Sequence, residues 1–264
     1  MTDNRINWHS ALLSALKIEF SDYQDILNYE AEKVLNIGPR RADILITKDE
    51  NSRPVHTPIG RQFRRYNLIE YKGPDDTMNE IAFYKALSYL YGFPELYNTV
   101  QVLEESSLTL ISHSFPRNLW KYINTRPLHP VWENAKNVLA KIIPGLYSIN
   151  TEILPVQLVV TSQLPKEEYF WLCSLTNRLT DPAPLRLISR ACKEHQMEPD
   201  YQNYLNTVIR ANQMAKGENS IMMCEALDEL YADQIAKERE EGKIEGKIEG
   251  KIEGKILGID TCLL

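Results

Sequence analysis

The sequence predicts an α/β protein, a sandwich built on a mixed sheet, followed by a helical region and a repetitive tail. Three observations predict it. Tyr66-Asn67-Leu68-Ile69-Glu70-Tyr71-Lys72, stopped by Gly73-Pro74, reads as a buried strand. Around it the patterns run helix, three strands, helix, then further strands, an order that layers helices on a sheet. From Lys166 the pattern is helical alone, and from Glu241 to Ile256 the unit Glu-Gly-Lys-Ile recurs with a period of four. The expected organisation is an α/β domain over 1–165, a helical region over 166–240 and the repeat tail over 241–264.

The elements follow in order. Leu12, Leu16, Glu19, Tyr23 and Ile26 recur at helical spacing, which predicts a helix over 8–28 with one anomalous acid in its apolar stripe. Strands are expected at 31–38 and 41–48, then a polar loop from Asp49 to Pro58, then the third strand at 63–72. Thr77 and Glu80 have capping-box spacing and open a helix over 78–91, which Gly92-Phe93-Pro94 ends. Residues 98–103 and 107–114 read as strands, 115–123 as a short helix, and 145–162 as further β-rich runs. Helices are expected over 166–178, 184–196, 199–215 and 219–240. Asp200-Tyr201-Gln202-Asn203-Tyr204 is polar and aromatic, suited either to the surface or to a partner.

Chemistry concentrates on the third strand. Side chains alternate along a strand, so Glu70 and Lys72 share a face with Leu68, while Ile69 and Tyr71 point the other way. An acid and a base inside a strand are costly to bury without a partner or a metal. The second strand carries one lone acid, Asp43, and pairing the two strands brings it close to Glu70 and Lys72. Two carboxylates supply hard oxygen ligands for Mg²⁺ or Mn²⁺. A lysine beside them can orient a metal-bound water for attack on a phosphodiester.

These residues resemble a known family. Asp43 followed by Glu70-Tyr71-Lys72 looks like the signature of the PD-(D/E)xK nucleases. The closer resemblance is to a bacterial branch described as nuclease-family transposases or recombination-promoting nucleases. Leu16-Lys17-Ile18-Glu19-Phe20, Ile59-Gly60-Arg61 and Phe83-Tyr84-Lys85 support it, over roughly residues 8–125. The sequence departs from the pattern in one place, with Ala42 where the family's eponymous proline stands. The resemblance implies a restriction-endonuclease-like core of helix, three strands, helix and strand. It also implies a metal-dependent DNA endonuclease with catalytic Asp43, Glu70 and Lys72. Because the family places a metal-site glutamate on its first helix, it adds Glu19 to Asp43 and Glu70 as a ligand. By itself, Glu19 reads first as a border residue whose carboxylate reaches water; the resemblance is what turns it towards the site.

Charge qualifies the choice of partner. The net charge of −6 argues against nucleic acid, yet twelve acids and six bases lie beyond Gly217, so residues 1–216 balance. Between Ile37 and Lys72 there are eight bases and four acids. Arg61, Arg64 and Arg65 are therefore candidate phosphate contacts, and Lys85 on the following helix adds a fourth. The alternative is a catalytically silent nuclease-like fold that binds DNA or protein. His113, alone beside a strand, reads as structural. Four widely spaced cysteines fit a reducing cytoplasm, no apolar run approaches a membrane span, and the mixed N-terminal segment does not resemble a secretory leader. In the tail, Gly242, Gly246, Gly250 and Gly254 each cost a helix about 1 kcal/mol. It is expected to fray alone, and reads either as a low-constraint product of repetition or as a segment that becomes helical on self-association.

Overall fold

The computed structural model describes residues 7–34, 41–49, 51–125, 139–149, 154–181, 183–196 and 198–213. The expected helix over 219–240 and the repeat tail lie outside the described residues.

The chain starts with helix α1 (Trp8–Glu19) and passes through a single 3₁₀ turn into the meander β1 (Leu27–Val34), β2 (Arg41–Lys48) and β3 (Tyr66–Lys72). Helices α2 (Glu80–Tyr91), α3 (Phe93–Tyr97) and α4 (Gln101–Glu104) then carry it to β4 (Ser106–Ser112). Helix α5 (Arg117–Thr125) is followed by β5 (Leu139–Ile143), β6 (Leu146–Ile149) and β7 (Val156–Val160). Helices α6 (Phe170–Cys173), α7 (Ala183–Glu194) and α8 (Pro199–Gln213) close the described chain.

The seven strands form one mixed sheet in the order β1-β2-β3-β4-β7-β6-β5. The β1–β2 and β2–β3 pairs are antiparallel, whereas β3–β4 and β4–β7 are parallel. The central strands β3, β4 and β7 are buried almost throughout, as expected of parallel strands covered on both faces. Ile44, Ile46, Ile69 and Tyr71 pack under α1, α6, α7 and α8. Leu45, Leu68, Leu108 and Leu110 pack under α2, α3 and α5.

Helix α8 docks along α1 rather than standing clear. Tyr204 is fully buried, Asn203 Nδ2 donates to Ser10 Oγ and Ser14 Oγ at 2.9 Å each, and Lys17 pairs with Asp200 at 3.2 Å. The polar-aromatic run at 200–204 is thus an internal contact, and the described helices beyond Lys166 share a core with the sheet.

Several expectations shift. Strand β1 begins at Leu27, four residues before the expected 31, and α2 takes Asn79 rather than Thr77 as its N-cap. Helix α1 stops at Glu19 because Phe20 leaves helical geometry (φ −105°, ψ 31°) and packs on Phe63, so Tyr23 and Ile26 belong to the turn before β1. The strand expected over 98–103 is instead helix α4, preceded by Asn98 in the left-handed region (φ 53°) that ends α3. Strand β5 was not expected: a register shift between Lys141 and Ile143 breaks its period of two. It joins β6 through Pro144-Gly145, with Gly145 at φ +78°. Within 166–178 only Phe170–Cys173 is α-helical.

Candidate active site

Two strands and two helices converge at the carboxyl end of β3. The β2–β3 register runs from Thr47↔Tyr66 to Ile44↔Ile69. Its continuation sets Asp43 opposite Glu70, but there the ladder has ended. Asp43 takes over the backbone bond: its Oδ2 accepts from the Tyr71 amide at 2.8 Å. Glu70 and Lys72 extend the face that Leu68 begins, as strand alternation requires. Lys72 Nζ donates to Glu70 Oε1 at 3.0 Å. Helix α2, capped by the Asn79 side chain on the Ala82 amide, presents Lys85, whose Nζ is 3.7 Å from the same Glu70 oxygen.

The fifth member is His9, which the sequence analysis did not single out. Its Nε2 lies 3.5 Å from Asp43 Oδ2, and its ring meets Tyr71 edge-on at 6.0 Å. Gly73 explains how α1 reaches this strand end. A Cβ there would stand 3.2 Å from the Trp8 ring, so glycine lets the helix start rest on the turn after Lys72. One signal could have found His9: it precedes Leu12 by three residues, on the same stripe that continues to Leu16 and Glu19.

Electrostatics separates the two carboxylates. The Glu70 side chain is 1% exposed. Burial first, then the neighbouring Asp43 charge, raise its pKa despite the opposing lysines. Burial also works against Asp43, but the His9 hydrogen bond and charge, the Tyr71 amide and Lys72 outweigh it and hold its pKa below the ordinary value. His9 is correspondingly raised, chiefly by its bond to Asp43, with burial opposing. Lys85 is raised as well: burial disfavours its charge, and Glu70, then Tyr89, more than restore it. Glu70 Oε2 is buried with no hydrogen-bond partner.

The other candidates lie elsewhere. Glu19 sits at the far end of α1 from His9, about 15 Å along the axis at 1.5 Å per residue. Its electrostatic neighbours are Tyr169, Cys173 and Tyr204, its Oε2 has no hydrogen-bond partner, and burial pushes its pKa up to about 8. Arg61 shares that end: its charge acts on Tyr169, and its Nε donates to the His56 carbonyl at 3.3 Å. Arg64 and Arg65 precede β3 and so stand at the opposite end from Glu70. Arg64 Nη1 donates to the Glu104 carbonyl, and Arg65 pairs with Glu105 at 3.4 Å. Arg65 lines an open groove of about 530 Å³ at that end, remote from the carboxylates. His113 is held between the Thr161 and Thr176 hydroxyls at 3.2 and 3.3 Å.

Asp43, Glu70, Lys72, Lys85 and His9 are therefore brought together, while Glu19, Arg61, Arg64 and Arg65 are not. Among the described residues no group of three or more His, Cys, Asp or Glu side chains is arranged to hold a metal ion. Asp43 and Glu70 are the two carboxylates that this strand end brings within electrostatic reach of each other. No helix among the described residues is long and apolar enough to cross a membrane. Comparisons with protein-family models, with curated proteins and with solved structures found no match.

Proposed function

We propose that the chain is a metal-dependent phosphodiesterase acting on DNA, an endonuclease built on a restriction-endonuclease-like core and serving transposition or recombination. The observation that carries this reading is the buried, unpartnered Glu70 Oε2 beside Asp43 and Lys72. A buried carboxylate oxygen without a hydrogen bond is costly, and such an orphan calls for a partner. A hydrated Mg²⁺ or Mn²⁺ between Asp43 and Glu70 would meet that need. The meander followed by a parallel crossover strand supports the core, with the acids at the end where β2 and β3 part.

The roles follow from placement. When bound, the metal supplies a water of lowered pKa and offsets charge building on the phosphate. Glu70 and Asp43 would hold it, and the Tyr71 amide fixes the orientation of Asp43. Lys72, from the strand face it shares with Glu70, would orient the attacking water by a hydrogen bond to its oxygen, or donate one to the phosphate oxygen as charge builds there. Lys85, half-exposed, makes a phosphate contact at the mouth.

One observation favours a second reading. Glu70 Oε1 is already engaged by Lys72 and lies within reach of Lys85, a self-contained ion cluster that a catalytically silent DNA- or protein-binding fold could retain. Nicking of supercoiled plasmid with Mg²⁺ or Mn²⁺, against EDTA, decides between them. The nuclease reading expects metal-dependent nicking that Lys72→Ala removes. Absence of nicking in the wild type over a broad pH range, with neither metal bound in calorimetry, leaves the silent fold.

A further inference from the structure

The parallel strands β3, β4 and β7 all end on the side of the sheet that carries Glu70 and Lys72. Their exits diverge. After β4 the chain turns to α5, whose Leu119 and Ile123 pack on one face. After β7 it turns to α6, whose Leu172 packs on the other. Neighbouring parallel strands whose connections leave to opposite faces open a crevice between them, the usual ligand position in open α/β sheets. Here the crevice is a cavity of about 270 Å³, lined by His113, Ser162, Lys166, Ser174, Thr176 and Arg178 among others.

Its lining sets two basic side chains and several hydroxyls beside the apolar Phe170, Leu179 and Pro184. Lys166 and Arg178 are exposed at the cavity, and neither has an ion pair among the described residues. Ser162 and Ser174 add hydroxyls. His113, also in the lining, bonds Thr161 and Thr176, and burial first and Arg178 second lower its pKa against the opposing charge of Asp75. One acid also lines the cavity, but Asp181 Oδ1 is occupied by the Ala183 amide at 2.8 Å, at the start of α7. The cavity is tied to the carboxylate site. The His113 amide donates to the Lys72 carbonyl at 3.3 Å, and Asn177 Nδ2 bonds both oxygens of Asp75, in the turn that follows Lys72, at 2.8–2.9 Å. Strands are spaced about 4.8 Å apart, so the cavity begins one to two strand spacings, about 5–10 Å, from Lys72.

We infer that this cavity is a phosphate subsite that takes the phosphomonoester end of a nucleic-acid strand, with Lys166 and Arg178 supplying charge and Ser162 and Ser174 hydrogen bonds. The inference deepens the nuclease reading and rests on it for the identity of the ligand, though the anion site stands on its own residues. A strand anchored here by its terminal phosphate would present a nearby linkage to Asp43, Glu70 and Lys72.

Calorimetry on the full chain at low salt, without divalent metal, tests it with five probes: inorganic phosphate, a nucleoside monophosphate, and single-stranded hexamers that are 5′-phosphorylated, 3′-phosphorylated or unphosphorylated. We expect one phosphorylated hexamer to bind about tenfold or more tighter than the unphosphorylated one, a preference that shrinks to about twofold or less in a Lys166→Ala/Arg178→Ala variant. Both side chains are exposed, and circular dichroism checks that the variant is folded. Equal affinity for all hexamers, or a preference that survives the double substitution, overturns the subsite. A nucleoside monophosphate binding as tightly as the phosphorylated hexamer overturns the strand-end assignment in favour of a free phosphomonoester. Closed circular plasmid has no ends, so its nicking by the wild type reports on the nuclease reading alone. Nicking without an end preference overturns only the subsite, and an end preference without nicking overturns only the nuclease.

Discussion

Two glutamates, Glu19 and Glu70, carry the same charge into the protein and meet opposite surroundings. Both keep one carboxylate oxygen without a hydrogen bond, and burial raises the pKa of both. Glu70 is answered by two lysines and faces a second acid. For Glu19 burial alone accounts for a pKa pushed up to about 8, and its surroundings are tyrosine and cysteine. The difference teaches that burial of an acid marks a candidate site only when compensating cations and a second carboxylate arrive with it. Glu19 avoids its cost by holding a proton. Glu70 stays poised between lysines and a neighbouring charge.

The largest expected effect comes from removing the compensation at Glu70. Lys72→Ala should cut metal-dependent nicking about 100-fold or more, the range of a positioned proton-transfer group. It also strips a buried carboxylate of its nearest partner, so stability should fall by on the order of 2 kcal/mol, read by denaturant titration. Metal binding retained in calorimetry with nicking lost would separate the catalytic role from the structural one. A Lys72→Ala protein that nicks like the wild type would make Glu70 no more than another protonated acid.

Glu19→Gln should do the reverse. The folded-state pKa lies above the ordinary value, so the penalty is absent below about pH 4.5 and grows as pH rises towards 8, while the unfolded chain has already released its proton. The amide removes that penalty. We expect a melting temperature raised by about 3–6 °C at pH 8.5, almost no change at pH 5, and nicking untouched. Loss of metal binding in this variant would return Glu19 to the site.

Lysine and arginine candidates sharpen the contrast at the level of DNA. Lys85 stands at the carboxylates, whereas Arg64 and Arg65 stand at the other end of β3 on Glu104 and Glu105. Lys85→Ala should lower the slope of log affinity against log salt by about one unit, and Arg64→Ala/Arg65→Ala should leave it nearly unchanged. The smallest effect belongs to His9→Gln. A folded pKa raised by Asp43 gives stability that is present below the unfolded value near 6.5 and lost as pH rises through the folded one. Because the ring is half-exposed, we expect under about 1 kcal/mol lost at pH 5.5 and nothing at pH 9.

The sequence made the sheet centre legible because its signals are local. Strand β2 falls over 41–48 as expected, and β3 and α2 lie within two or three residues of their predicted bounds. Alternation alone put Glu70 and Lys72 on one face, and a lone acid on the neighbouring strand pointed to Asp43. The stripe on α1 was read on the right face but at the wrong end. His9 and Glu19 share it, and which one meets the sheet depends on where Gly73 lets Trp8 rest, a contact 65 positions apart in the chain. The arginines misled through chain proximity. Five rises of strand carry the chain from Arg65 to Glu70 and span about 17 Å, so a basic window in sequence became two distant ends in space. Strand β5 stayed hidden because its register shift interrupts the alternation by which strands are read.

The bond from the Tyr71 amide to Asp43 gives that aspartate two employments, one in the site and one in the closure of the strand end. On the proposed nuclease reading, a descendant that abandoned chemistry would still need an acceptor at position 43 to quiet a backbone donor at the end of β3. Asparagine or serine would serve there, and an aspartate could persist through drift long after catalysis had gone. Positions 70 and 72 have no such second employment in the backbone. Active and silent descendants are therefore expected to diverge at Glu70 and Lys72 while agreeing at Asp43.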